Sequence, residues 1–128
     1  MKYLECYKEG CRKLETAGVP EAKLDARLLL EYVCGTNRND LLVHGEREVE
    51  AEKQNAYETA IAKRMERIPL QHITGEQDFM GLNFKVNEQV LIPRQDTEIL
   101  VEAVLKQMQD YSRILDMCTG SGCILISL

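Results

Sequence analysis

The densest run of chemically capable residues is Asp116-Met117-Cys118-Thr119-Gly120-Ser121-Gly122-Cys123, between the apolar runs Ile114-Leu115 and Ile124-Leu125-Ile126. Gly120 and Gly122 leave no β-carbon to hold a ligand away from the backbone. A helix starting directly after the turn adds free N–H groups and a partial positive charge, which suit a carboxylate or phosphate. Asp116, at the end of an expected strand over "SRILDM", can accept a hydrogen bond from a ligand amine. Thr119 and Ser121 contribute hydroxyls. A strand, a glycine turn and a helix start open a doubly wound α/β domain with a nucleotide-type cofactor site. The plainer reading is a tight turn whose small residues serve packing alone.

A dinucleotide fingerprint would read GxGxxG, but Gly120-Ser121-Gly122-Cys123-Ile124-Leu125 lacks the third glycine. An acid placed before Gly-x-Gly is instead the arrangement of S-adenosylmethionine methyltransferases. Other candidates are weaker. Cys6, Cys11, Cys34, Cys118 and Cys123 include no CxxC pair, and His44 and His72 stand away from them, so no metal site is expected. An odd cysteine count without a signal-peptide core reads as reduced thiols in a cytoplasmic protein. Neither histidine has a partner in sequence that would make it a general base. Tyr3, Tyr7 and Tyr57 fall at helical spacing and read as packing residues rather than a base-stacking platform.

The elements that must position the turn divide into two kinds. Residues 1–70 read as a mostly α helical bundle. Tyr3, Tyr7, Cys11 and Leu14 share one face, and Gly18 with Pro20 breaks to a second helix striped by Ala22, Ala26, Leu29, Leu30 and Val33. Gly35 stops it, and Asn39 or Asp40 caps a short "LLVHG" turn. The acidic run "GEREVEAE" reads as the first turn of a helix that presents Tyr57, Ile61, Met65 and Ile68. Residues 71–93 read as a β-hairpin linker, with Phe79, Leu82, Phe84, Val86 and Val90-Leu91-Ile92 arranged around Gly81. From 94 to 128, a helix capped by Asp96 or Thr97 carries Ile99, Leu100, Ala103, Val104 and Met108 on its face. The strand and the glycine turn follow. This last part is expected to be the truncated start of an α/β Rossmann-like domain, whose strand Ile114–Met117 has no neighbour to pair with.

The charge is −5, with 12 Lys/Arg against 13 Asp/Glu over residues 1–67 and 4 against 8 over 68–128. That balance argues against a surface built to bind nucleic acid. No run is long and apolar enough to suggest a membrane span.

The ordered segments "PLQHITG", "FMGLNFKV", "VLIPRQDTEILVE" and "ILDMCTGSGC" resemble the release-factor glutamine methyltransferase family (PrmC/HemK type), in its N-terminal portion. The resemblance implies a helical domain that docks a peptide chain release factor, a hairpin linker, and a domain that uses S-adenosylmethionine. It implies methylation of the glutamine side-chain amide in the release factor's Gly-Gly-Gln motif. The family's cofactor loop falls on Cys118, Thr119, Gly120, Ser121 and Gly122, with Asp116 leading in and Arg94 and Thr97 from the "IPR..TE" segment. Gln95-Asp96 stands where the family has Pro-Glu. Cys118 replaces a more frequent glycine and is expected to take an ordinary backbone angle. The family's catalytic Asn-Pro-Pro-Tyr and its ribose-holding acid have no match within 1–128, so no catalytic residue is assigned and the chain by itself is expected to be inactive. The alternative is a stand-alone helical module that binds a protein partner without catalysis.

Overall fold

The computed structural model describes residues 1–128, which fall into two compact units, Met1–Thr74 and Gly75–Leu128. The first is all helix: α1 (Tyr3–Thr16), α2 (Ala22–Cys34), α3 (Arg38–Val43), α4 (Ala51–Met65) and α5 (Leu70–Thr74). The apolar stripes of α1, α2 and α4 meet in one core, with Leu14, Leu29, Leu30, Ala26, Cys6, Tyr57 and Ile61 buried. Gly35 ends α2 in the left-handed conformation at φ 66°, as the sequence suggests.

Three local readings change. The cap of α3 is Asn37, whose side chain accepts the Asp40 N–H at 3.1 Å while the Asp40 carboxylate takes the Asn37 N–H at 3.1 Å. This reciprocal box, closed at the third helical position, outcompetes Asn39 and Asp40 as caps. Met65 is exposed, because α4 ends there and the chain turns away. Most of the acidic run precedes α4, which begins at Ala51: Glu50 holds the cap position and only Glu52 lies in the first turn. Glu46 pairs with Lys2 at 2.6 Å and Glu48 with the terminal ammonium at 3.2 Å, beside backbone bonds from Tyr3 N–H to Arg47 C=O and from Val49 N–H to Met1 C=O. Long-range pairing with the first residues of the chain captures carboxylates that sequence position alone assigns to a helix dipole.

Burial raises the pKa of Tyr57 far above the tyrosine range and also raises those of Cys6, Cys11 and Tyr3. A raised folded-state pKa gives stability that is present below the unfolded pKa and lost as pH rises through the folded one. The thiols ionise in the unfolded chain from about pH 9 and the tyrosines from about pH 10. The melting temperature should therefore fall as pH is raised from about 8 to about 10.5, and Tyr57→Phe should flatten the upper part of that fall. A flat profile would contradict it.

The second unit holds β1 (Glu76–Phe79), β2 (Leu82–Lys85), α6 (Asp96–Gln107) and α7 (Cys123–Ser127). The strands pair antiparallel from Glu76↔Lys85 to Phe79↔Leu82. Their two-residue turn, Met80-Gly81, has φ 51° and 74°, positive at both positions as a tight hairpin turn requires. Phe79 and Phe84 meet edge to face at 6.2 Å and bury Val101 of α6.

The hairpin is shorter than expected: Val90-Leu91-Ile92 lies outside it and forms no strand. Asp96 opens α6 without capping it, and Thr97 lies in its first turn; Gln95 holds the cap position with no side-chain bond. The face of α6 is also rotated. Val101 is buried, while Ile99 is 70% and Leu100 52% exposed, because two short strands offer one aromatic patch rather than a sheet. Residues 112–117 form no strand. A strand is defined by its ladder, and β1 and β2 pair only with each other. The amides of 113–116 donate no backbone bond. They should exchange with solvent within seconds to minutes, against far slower exchange at Leu29 and Leu30, in a deuterium-exchange time course; strong protection at Leu115 would refute this.

Candidate functional site

The turn after the extended segment is built by alternation. Cys118, Gly120 and Gly122 adopt φ 57°, 58° and 78°, so every second residue is left-handed. Glycine takes that conformation freely, but cysteine does so against its β-carbon at a cost of about 1–2 kcal/mol. The expectation of an ordinary angle at Cys118 is therefore corrected: the path of the turn, set by its neighbours, imposes the left-handed one. Replacing Cys118 with glycine should raise stability by up to about 1 kcal/mol in urea denaturation. A destabilised variant would mean that the thiol makes contacts outweighing the strain.

Three bonds hold the shape. The Asp116 carboxylate accepts the Thr119 hydroxyl at 2.8 Å, Gly122 N–H donates to Thr119 C=O at 2.9 Å, and Ile126 N–H donates to Gly122 C=O at 2.9 Å. A β-carbon at Gly120 would meet nothing within 4 Å, so the backbone there faces open space. At Gly122 it would press on Ile126 Cδ1 at 3.3 Å, so this glycine serves the packing of α7. The Ser121 hydroxyl is buried and lacks a hydrogen-bond partner.

The structure thus gathers Asp116, Cys118, Thr119, Gly120, Ser121 and Gly122 in one turn. Arg94 and Thr97 stand at the start of α6, where Arg94 C=O accepts the Thr97 N–H at 3.1 Å, and no hydrogen bond joins either side chain to the turn. Arg94 is exposed and Thr97 half-buried. Sequence reasoning missed Glu98. Its carboxylate accepts the Met80 N–H at 2.9 Å and ties the hairpin turn to α6. Nothing in local spacing marks that contact, which joins residues 18 apart.

Elsewhere, His44 is exposed, and His72 is half-buried with its Nε2 unpartnered. All five cysteines are free, and no group of three or more His, Cys, Asp or Glu residues is placed to hold a metal ion. No helix is long and apolar enough to cross a membrane.

Residues 5–75, more than half of the chain, match the family model described as the PrmC N-terminal domain. The chain belongs to this family. Proteins named release factor glutamine methyltransferase are similar to it over nearly its whole length. The one from Moorella thermoacetica is 44% identical over 123 residues, covering 94% of this chain and 43% of the relative. The one from Koribacter versatilis is 42% identical over 130 residues, covering 100% and 46%. That from Deinococcus radiodurans is 35% identical over 130 residues, covering 100% and 47%. The chain therefore spans a little under half the length of these relatives. The PrmC match covers the helical unit, and the relatives' matches extend into the unit that carries the turn. The mostly helical domain, the hairpin and the start of a methyltransferase domain are the N-terminal portion of this family's architecture.

Proposed function

We propose that residues 1–128 are the docking and cofactor-loop portion of a protein-glutamine N-methyltransferase. Its cofactor is S-adenosylmethionine, and its substrate is the side-chain amide of the glutamine in the Gly-Gly-Gln motif of a peptide chain release factor. The carrying observation is that the turn Asp116–Gly122 lies in a chain matched over 94–100% of its length by relatives of that name. S-adenosylmethionine, when bound, supplies an electrophilic methyl on a sulfonium.

The residues present fit the amino-acid end of that molecule. The Asp116 carboxylate, held by Thr119, can accept from an ammonium. The open backbone at Gly120 lets a ligand approach closely, and the unpartnered Ser121 hydroxyl can donate to a carboxylate. Arg94 and Thr97 at the start of α6 are the outer members of the proposed set. The helical unit, which extends through α5 to Thr74 rather than ending at residue 70, takes the release-factor docking role, and the hairpin with the segment up to residue 93 links it to the cofactor part. No residue of 1–128 is assigned to bind or orient the reacting amide, so these residues alone are inactive in this reading. The protein works in the cytoplasm, where release factors act, without a membrane or a direct nucleic-acid partner.

The test has two arms. Photo-cross-linking of radiolabelled S-adenosylmethionine should label the peptide containing 116–122, and Asp116→Ala should reduce labelling at least tenfold. Calorimetry with an intact release factor should show binding that survives Asp116→Ala. Absence of labelling would remove the cofactor assignment, and absence of release-factor binding would remove the docking assignment. Methyl transfer to the release factor by this chain alone would overturn the claim of inactivity.

A further inference from the structure

The helical unit contains a recess of about 280 Å³ whose lining includes Tyr3, Cys34, Thr36, Arg47 and Lys53 together with the carboxylates of Glu48 and Glu50. Its walls are fixed by backbone. The N-terminal segment is zipped to residues 45–49 by Tyr3 N–H to Arg47 C=O at 2.7 Å, Leu4 N–H to Gly45 C=O at 2.9 Å and Val49 N–H to Met1 C=O at 3.1 Å. The Tyr3 and Thr36 hydroxyls are hydrogen-bonded to each other across it.

The charges in this recess are not paired off. Arg47 and Lys53 form no ion pair and no side-chain hydrogen bond, although Glu48 and Glu50 line the same space and Glu48 is taken by the terminal ammonium. Lys2, Arg12 and Arg64 in the same unit each hold a carboxylate within 3 Å. Both unpaired cations are near enough to the Cys34 thiol to counteract the rise that burial gives its pKa, while Glu50 adds to that rise. The recess therefore presents two unpaired cations and two hydroxyls to one space, with Glu50 the remaining opposing charge. The geometry points to a binding site for a small phosphate monoester or phosphate ion, separate from the turn at 116–122. Arg47 and Lys53 would bind its oxygens and the Tyr3–Thr36 pair would donate one hydrogen bond. The volume suits a ligand of roughly a dozen non-hydrogen atoms, the size of a small phosphate monoester.

The test is a ¹⁵N–¹H titration of the whole chain with inorganic phosphate, and separately with glycerol 3-phosphate, at constant ionic strength set by chloride. Saturable shifts confined to the amides around Tyr3, Thr36 and residues 47–53 are expected for both probes, tighter for the ester if the recess takes its carbon skeleton. Arg47→Ala with Lys53→Ala, both side chains without partners, should weaken binding at least tenfold while leaving the remaining spectrum unchanged. Glu50→Gln, which removes the opposing carboxylate, should tighten it severalfold. Shifts that do not saturate, or that persist in the double variant, would overturn the site.

Discussion

Replacing Gly10 with alanine is expected to destabilise the helical unit by about 2–3 kcal/mol, even though alanine is the better helix former by about 1 kcal/mol. Gly10 lies in the middle of α1, and a β-carbon there would fall 1.9 Å from the Tyr57 hydroxyl oxygen and 2.8 Å from Cζ. Tyr57 cannot simply swing aside. It is 3% exposed, and its hydroxyl donates to the Ala26 carbonyl at 3.1 Å. One tyrosine of α4 thus crosses α1 at the glycine and ends on α2, pinning three helices together. Moving the ring breaks that buried hydrogen bond, worth about 1 kcal/mol, and opens a void beside Cys6 and Ile61. Equilibrium urea unfolding of the two single variants and of the double variant with Tyr57→Phe would measure the coupling. Removing the hydroxyl relieves the worst contact, so the double variant should lose less than the sum of the two singles. Additive losses, or a Gly10→Ala protein as stable as the parent, would show that α1 and α4 are not this close.

Asp25→Ala should cost a similar amount, about 3 kcal/mol. Asp25 is a buried charged residue, 6% exposed, in the first turn of α2. Arg64, in the last turn of α4, donates from Nε to its carboxylate at 2.9 Å and from Nη1 to the Ile68 carbonyl at 3.2 Å. Removing the carboxylate leaves a guanidinium largely out of water with half its partners gone, a larger loss than an exposed ion pair gives. Arg64→Lys is not a mild change here, because an ammonium cannot bridge the carboxylate and the carbonyl with a planar fork. Thermal and urea unfolding of Asp25→Ala, Arg64→Ala and the double variant should return a coupling of more than about 1 kcal/mol, little altered by 0.5 M salt because the pair is shielded. A coupling near zero, or one that salt abolishes, would place the pair in solvent.

Both contacts bear on how much of this protein is legible in its sequence. The helices α1, α2 and α4 are readable because burying one face of a helix forces apolar residues into a period of 3.6, and Leu14, Ala26, Leu29, Leu30 and Ile61 obey it. Gly18 and Gly35 are readable as breaks because few other residues tolerate their positive φ of 76° and 66°. The hairpin turn at Gly81 and the turn at Gly120 and Gly122 follow from the same constraint. The order of motifs around them carries the family membership.

What failed to be legible is of one physical kind. Gly10 looks like a weak point in a helix until Tyr57, 47 positions away, is seen above it. Nothing in local spacing marks Asp25 and Arg64, 39 positions apart, as a pair. The capture of Glu46 and Glu48 by the chain's first residues, and the Glu98 contact that anchors the hairpin turn, likewise join segments far apart in sequence. Residues 112–117 have the composition of a strand but no ladder, since backbone pairing belongs to two segments and not to one. Cys118 takes its left-handed angle from the path of the turn rather than from its own preference. By itself, then, the sequence determined the helical periodicities, the glycine turns and the family, because each is set by the local chain. Only the tertiary structure decided which charges are paired, which face of α6 is covered and where α1 must carry no side chain, because each of these depends on what another part of the chain brings within a few ångströms.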